Sequence, residues 1–522
     1  MNKEIEARSP ESAQNNLTNA QNLGNRHELF RDAIILLLFT LLIRLPYFVP
    51  TVVHWHESTY TLLGQDILDG HLPQTFYSEL KPPAAGIPYA LFILLFGKAI
   101  AAIRTGGALC IWFASVVLNQ ACCKHFGRLS ALLAAVSLII FTTTDDRAGC
   151  TMLEHIALVP LALMVFLVAR REWTTNTFFQ LGLVIGLAAL LKTNLAFFAL
   201  APLVMAVCKW KAFTWSGVYK RFLVLAAGVG IPQLIVFAIY WFTGNINLLI
   251  HSSILATFAS ASYQRAQFMQ RIPEVLQQLK SANPGAVFLC WILPFFNLLR
   301  ILKTSTPQNA ETAKKRELLV AMALCVVFGF VTMLIPGVIH ARRYYIALVP
   351  FTSCMAASSF QYFMTQSKKS LSIILTCAFS LSLMPVAQAY NTAWMFITGK
   401  RTDEALEIAR YLAAHSVKNR YVYFQTAHIG YWLTGATSPT RFIHPTNMSK
   451  SELLATLYER PSSATQELDE IFEKQPLYVV APLRSSESAE SEFTKGLDRK
   501  LKEDYALVKM VGNIGIFEIN RD

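Results

Sequence analysis

A histidine and a glutamate stand side by side at His56 and Glu57, in a polar loop that runs from Trp55 to Pro83 and closes on Glu79, Leu80, Lys81, Pro82 and Pro83. The loop follows a long apolar run, so its titratable groups fall where a bilayer meets water, a depth at which charge usually accompanies chemistry or ion movement. From Glu57 to Gly70, Tyr60, Leu63 and Ile67 share one helical face, and Glu57, Thr61 and Gln65 share another. That is the pattern of a helix lying flat on a membrane, ended by Gly70 in a left-handed conformation. Glu57 is thereby expected in the first turn, at the mouth of whatever cavity the spans enclose, either as a base or as a complement to the helix dipole. Asp145, Asp146 and Glu154 fall on the same side of the membrane and could join it as base, orienting group or metal ligand. Asp145 and Asp146 equally suit solvated loop charges, whereas Glu154 opens an apolar run and would be costly there without a role. Lys81, Lys192 and the pair Arg342/Arg343 are cations at the same boundary, suited to a lipid-borne phosphate or diphosphate, or else to snorkelling toward head groups. His56, Glu57 and Glu154 are of metal-ligating types, so a divalent metal is possible, but spacing across separate spans does not define such a site.

The element that must position these groups is a membrane domain. Of 522 residues, 54% are hydrophobic and 15% charged, and apolar runs recur from Ala33 to Ala389, as in a polytopic membrane protein. The net charge of +13 is spread over short loops rather than gathered on one face, which argues against a nucleic-acid partner and for membrane orientation. All nine cysteines precede residue 390, with no disulfide framework or CxxC knuckle among them. Residues 1–31 read as a polar cytoplasmic tail, too long and charged for a cleaved signal, followed by an uncleaved first span. The apolar run 86–96 is short. If residues 81–96 form an interfacial or re-entrant helix, the clusters Lys124/Arg128, Arg170/Arg171, Lys209/Lys211/Lys220/Arg221, Lys314/Lys315/Arg316 and Lys368/Lys369 all fall on the side of the tail, as positive-inside bias requires. The expected fold is therefore an all-α polytopic membrane domain over residues 32–390, with about eleven transmembrane helices and interfacial helices in a first outer loop, 54–103.

Past Tyr390 the composition shifts, and residues 391–522 read as a small soluble α/β domain. Ala405, Leu406, Ile408, Ala409 and Leu412 have helical spacing after a Thr402/Asp403 start. β-rich runs follow at 420–424, 476–481, 506–511 and 514–519, the last two flanking a Gly512-Asn513 hairpin signal. No internal repeat is visible, which weighs against an inverted-repeat transporter.

The segments WHESTYTLLGQDILDGHLP, SELKPPAAGIPYALFILLFGKAIAAIR, CTMLEHIALVPLALMVFLV and GLVIGLAALLKTN, with a weaker echo at ARRYYIALVPF, together resemble bacterial GT-C glycosyltransferases. The branch is the one that includes protein O-mannosyltransferases and the aminoarabinose transferase of lipid A. The resemblance implies a bacterial inner-membrane enzyme with its active site and C-terminal domain facing the periplasm. Such an enzyme moves a sugar from a polyprenyl-phosphate donor to lipid A, another glycan or a protein. It also implies an Asp-Glu pair in the first outer loop, and here His56 stands where the Asp is expected. Either Glu57 takes the role, or His56 acts as base or metal ligand at its near-neutral pKa, or transfer has been lost. In the reaction so implied, Glu57 would deprotonate or orient the acceptor, with Glu154 in support. Lys81, Lys192 and one of Arg342/Arg343 would neutralise the phosphate, and Tyr60 would serve sugar contact or anchoring. The alternatives are a transporter or flippase of a lipid-linked sugar, with charges inside its spans, and a non-catalytic homologue that binds the donor.

Overall fold

The structure, a computed structural model, describes residues 10–144, 148–209, 214–266, 269–303, 309–338, 342–366, 369–444, 447–448, 450–458, 462–483 and 491–520. Its first part is helical. Helix α1 (Pro10–Arg44) leads into the polar loop, which holds α2 (Trp55–Leu68) and α3 (Ile87–Phe96). There follow α4 (Ile100–Phe126), α5 (Arg128–Thr144), α6 (Leu153–Arg170) and α7 (Thr175–Leu191). After a 3₁₀ segment come α8 (Leu200–Cys208) and α9 (Trp215–Phe242). The next connection contains α10 (Ala256–Ala266) and α11 (Ile272–Ser281), and then α12 (Pro284–Lys303), α13 (Ala310–Leu334), α14 (Val349–Thr365) and α15 (Lys369–Ile397) complete the bundle.

Among the described residues, six helices are long and apolar enough to cross a membrane: α4, α6, α9, α12, α13 and the part of α15 from Ser372. The chain is a multi-pass membrane protein. The expected count of about eleven transmembrane helices is therefore met for six; α1, α5, α7, α8 and α14 are further helices of the bundle that do not reach that length and apolarity. Helix α3 has ten residues, about 15 Å of axis, or half a hydrocarbon core. It packs on α2 at Gly64, where an added Cβ would lie 2.7 Å from the backbone nitrogen of Ala90. Any side chain there would push the two helices apart. As the sequence suggested, α2 stops just before Gly70, which takes a φ of +91°.

Two buried arginines fix the polar loop to the bundle. Arg44, at the end of α1, donates to the carbonyls of Ala148, Gly149 and Cys150, and so holds the turn that feeds α6. Arg104, in α4, donates to the carbonyls of Tyr47, Pro50 and Thr51 and pairs with Glu57 at 2.8 Å. The fully buried guanidinium of Arg104 is tolerated because its donors are met by carbonyls and a carboxylate.

The C-terminal region contains α16 (Glu404–Ala414), capped by Asp403, then β1 (Val422–Phe424) and the short helices α17 (Gly430–Thr434), α18 (Ser451–Tyr458) and α19 (Ala464–Glu473). It ends with β2 (Tyr478–Pro482), α20 (Glu492–Asp504), β3 (Tyr505–Val511) and β4 (Ile514–Ile519). The four strands form one sheet in the order β1-β2-β4-β3, parallel between β1 and β2 and antiparallel elsewhere. The β3–β4 hairpin turns at Gly512, whose φ is +60°. This region lies against the polar loop: Ser78 donates to the carbonyl of Arg441 at 2.8 Å, and Trp432 donates to Gln65 at 3.0 Å.

Candidate active site

His56, Tyr60, Lys81, Glu154, Lys192 and Arg343 line one cavity, together with Met152 and Tyr344. Its inner part is small, about 10 Å³, and adjoins a larger cavity of about 210 Å³ lined also by Glu79, Asn194, Thr332, His444 and Lys450. The three cations are each brought there by a break in regular structure. Lys81 precedes Pro82 and Pro83, which cannot continue a ladder of backbone hydrogen bonds. Lys192 is an extended residue between α7 and the following 3₁₀ turn, φ −150° and ψ 114°. Arg343 lies in the 3₁₀ segment Arg342–Leu348 that leads into α14.

Glu154, one residue into α6, and Lys192 form an ion pair with Nζ and Oε1 2.6 Å apart, both side chains about 5% exposed. The same ammonium sits 3.6 Å above the Tyr344 ring, and the Arg343 guanidinium lies 5.4 Å from that ring. Such an aromatic face stabilises a desolvated cation without neutralising its charge. The inner cavity has three cations, Lys81, Lys192 and Arg343, and one carboxylate, Glu154, so its field favours an anion.

The polar loop meets the C-terminal region through histidines. His444 Nε2 lies 3.1 Å from His56 Nδ1, and His428 Nε2 lies 2.9 Å from the hydroxyl of Thr59. Burial first, and then Arg343, His444, His54 and Lys81, push the His56 pKa well below its ordinary value. His444 is held at about 3 by burial and then by Lys81, Lys450 and Arg343, and His428 at about 3 by burial and His444. All three rings are therefore neutral near pH 7. One hydrogen is shared between His444 Nε2 and His56 Nδ1, and with that hydrogen on His56 Nδ1 the lone pair of a base falls on His56 Nε2.

Glu57 is not among the residues lining the cavity. Its carboxylate is buried, bonded to Arg104 through Nε and one terminal nitrogen, and accepts the amide of Thr151 at 2.7 Å. It thus ties α2 to α4 and to the turn before Glu154. Arg342 also lies off the cavity, with its guanidinium toward the hydroxyl of Ser281 at 3.3 Å. Asp145 and Asp146 lie outside the described residues. Glu57 faces Arg104 and Glu154 faces Lys192, so His56, Glu57 and Glu154 do not fit a shared metal. Among the described residues no group of three or more His, Cys, Asp or Glu is placed to hold one.

Sequence reasoning did not reach His444, Lys450 or Arg104. The first two lie in a region without catalytic spacing and arrive only by long-range docking. Arg104 reads as the start of an apolar helix, and its burial was the missing signal.

A helical membrane bundle with a polar cavity beneath the loop after its first helix and beside a C-terminal α/β region is a fold this chain shares with solved membrane-protein structures. The chain is similar to the crystal structure of ArnT from Cupriavidus metallidurans bound to undecaprenyl phosphate. Identity is 12% over 93% of this chain and 97% of that one, with a TM-score of 0.59. The apo form of the same protein gives 13% identity, the same coverage and a TM-score of 0.57. No family model matches the sequence, and no curated protein sequence matches it.

Proposed function

We propose that the chain is a glycosyltransferase that takes a sugar from a polyprenyl-phosphate donor and passes it to an acceptor on the periplasmic side of a bacterial inner membrane. The observation that carries this reading is the cavity in which Lys81, Lys192 and Arg343 surround a neutral histidine beside the membrane-spanning helices. The undecaprenyl phosphate in the similar ArnT structure supports a lipid-phosphate donor, and the distribution of basic loops supports the orientation.

In this reading the donor phosphate is held by the three cations, with the anomeric carbon toward His56 and Glu154. The acceptor hydroxyl attacks that carbon, a new carbon–oxygen bond forms, and the bond to the phosphate oxygen breaks. The hydroxyl proton passes to His56 Nε2, and the polyprenyl phosphate leaves with its charge compensated by the cations. Glu154 keeps Lys192 in place, Glu57 acts as a positioning residue through Arg104, and Tyr60 and Tyr344 form the cavity wall. His444 sets the tautomer of His56.

The test is release of polyprenyl phosphate from a polyprenyl-phosphate sugar by the purified protein supplied with cell-envelope acceptors, followed by mass spectrometry. Turnover lost in Lys192→Met and Arg343→Met supports transfer. Tight donor binding with no turnover under any acceptor would instead favour the non-catalytic reading, which the His56 departure motivates.

A further inference from the structure

A second cavity, of about 310 Å³, lies between the far ends of α12, α13 and α14. Thr312 of α13 lines it, whereas Thr332 of the same helix lines the cavity described above. About twenty helical residues separate them, roughly 30 Å of axis, which is the thickness of a hydrocarbon core. The two cavities therefore open at opposite faces of the membrane.

Arg300, Lys315 and Arg316 line this second cavity alongside Thr312, Ser358 and Tyr362, and no lining residue among the described ones is acidic. Arg300 is held in place: its guanidinium stacks on the Tyr362 ring at 3.8 Å and its Nε donates to Asn297 Oδ1 at 3.0 Å. Asn297 in turn donates to the hydroxyl of Ser358 at 2.9 Å. A cation that only snorkels extends toward water, whereas this one is folded against an aromatic wall and oriented by a buried amide. Lys315 pairs with Glu311 at 2.9 Å, but that carboxylate is 71% exposed and competes weakly with a bound anion. Beside Arg300, α12 presents Phe296, Leu299 and Leu302 to the outside, 59%, 59% and 45% exposed. Cations over a polar cavity next to an exposed apolar helix face match a ligand with an anionic head and an acyl tail.

We propose that this cavity takes the phosphate headgroup of an anionic phospholipid from the leaflet opposite the candidate active site. Arg300 and Arg316 would contact the phosphate, the hydroxyls would contact the glycerol part, and the acyl chains would run along α12.

The test uses the full chain in detergent, with thermal unfolding followed while phosphatidylglycerol, phosphatidylcholine or inorganic phosphate is added. Phosphatidylglycerol is expected to raise the unfolding temperature in a saturable way, and the other two are expected to leave it in place. Arg300→Gln/Arg316→Gln should weaken the apparent affinity for phosphatidylglycerol at least tenfold, while Lys220→Gln, which removes an exposed charge elsewhere, should not. Arg300→Lys, which keeps the charge, should fall between them and serves as the readout should the double variant fail to fold. An equal response to phosphatidylcholine would overturn the headgroup assignment, and an equal response to inorganic phosphate would make this a soluble-anion site. An unchanged affinity in the arginine variants would place the lipid elsewhere.

Discussion

Replacing Glu154 and Lys192 singly and together separates what their ion pair does for chemistry from what it does for folding. The charges are 2.6 Å apart and both side chains are almost fully buried, so each depends on the other to offset its lost hydration. Removing one partner leaves a buried charge uncompensated, at a cost of about 3–5 kcal/mol. Lys192→Met leaves Glu154 in a cavity still lined by Arg343, and Glu154→Gln leaves Lys192 over Tyr344; both should therefore sit near the lower end of that range. Glu154→Gln/Lys192→Met removes both charges and should return to within about 1–2 kcal/mol of the parent, a coupling of about 4–5 kcal/mol that exceeds the roughly 0.5–3 kcal/mol usual for residues in contact. Turnover should not return with it. A cation facing charge that develops on a leaving phosphate is worth about 2.7–4 kcal/mol, or 10²- to 10³-fold in kcat, and the double variant still lacks that cation. Unfolding midpoints and release of polyprenyl phosphate, measured on the same preparations, give the two readouts. A double variant that recovered both stability and turnover would refute the reasoning, because the pair would then be only a structural fastener.

Glu57→Gln should lower stability by about 3–5 kcal/mol by stranding the buried guanidinium of Arg104, while turnover per folded molecule falls less than in Lys192→Met. Full stability with abolished turnover, read by unfolding midpoint and product release, would return Glu57 to the chemistry. Arg343→Met should reduce turnover by about 10²-fold through the lost phosphate contact, whereas Arg342→Met should change it by far less; equal losses in the same assay would contradict the placement of Arg342 off the cavity. Folding stability should decline in mild acid. His428 and His444 are held at about 3 in the fold, below an unfolded value of about 6.5, so the unfolded chain binds more protons anywhere between those values. Stability is thus complete above pH 6.5 and falls by about 1.4 kcal/mol per pH unit for each histidine as pH drops toward 3. Unfolding midpoints from pH 7 to 5 should show this slope, and a flat profile would mean that these rings are not buried neutral.

Much of the site was legible in the sequence because charges at the end of an apolar run carry a cost that marks them. Glu154 at the start of α6 and Lys192 between two apolar arms were conspicuous for that reason, and they face each other. What one-dimensional reading cannot give is the partner. Glu57 and Glu154 look alike as boundary carboxylates, yet one is committed to Arg104 and the other to Lys192, a difference set by where α4 and α7 pass. The hairpin around Gly512 and the helix after Asp403 were readable from turn chemistry and spacing, which are local. The docking of His444 on His56 is not local: it joins residues nearly four hundred positions apart and leaves no periodic trace.

The histidine at position 56 has a physical consequence that an aspartate there would not have. The resemblance to GT-C enzymes implies an Asp at that point, and a carboxylate between Lys81 and Arg343 would be held ionised and would compete with the donor phosphate for both cations. A neutral imidazole leaves those cations to the phosphate but is itself a poor proton acceptor while they are unpaired, since they help to hold its pKa down. In the proposed reaction, donor binding changes this. The phosphate offsets Arg343 and Lys81, and the pKa of His56 then rises toward the range in which an imidazole serves as a general base. Two links follow: the acceptor is deprotonated only when a donor is in place, and the acid limb of kcat, which reports the donor complex, should lie at higher pH than that of kcat/KM, which reports the free enzyme. His444→Ala removes the acceptor that holds the His56 proton on Nδ1. It should therefore lower kcat more than it raises KM, a split that loss of packing alone would not produce.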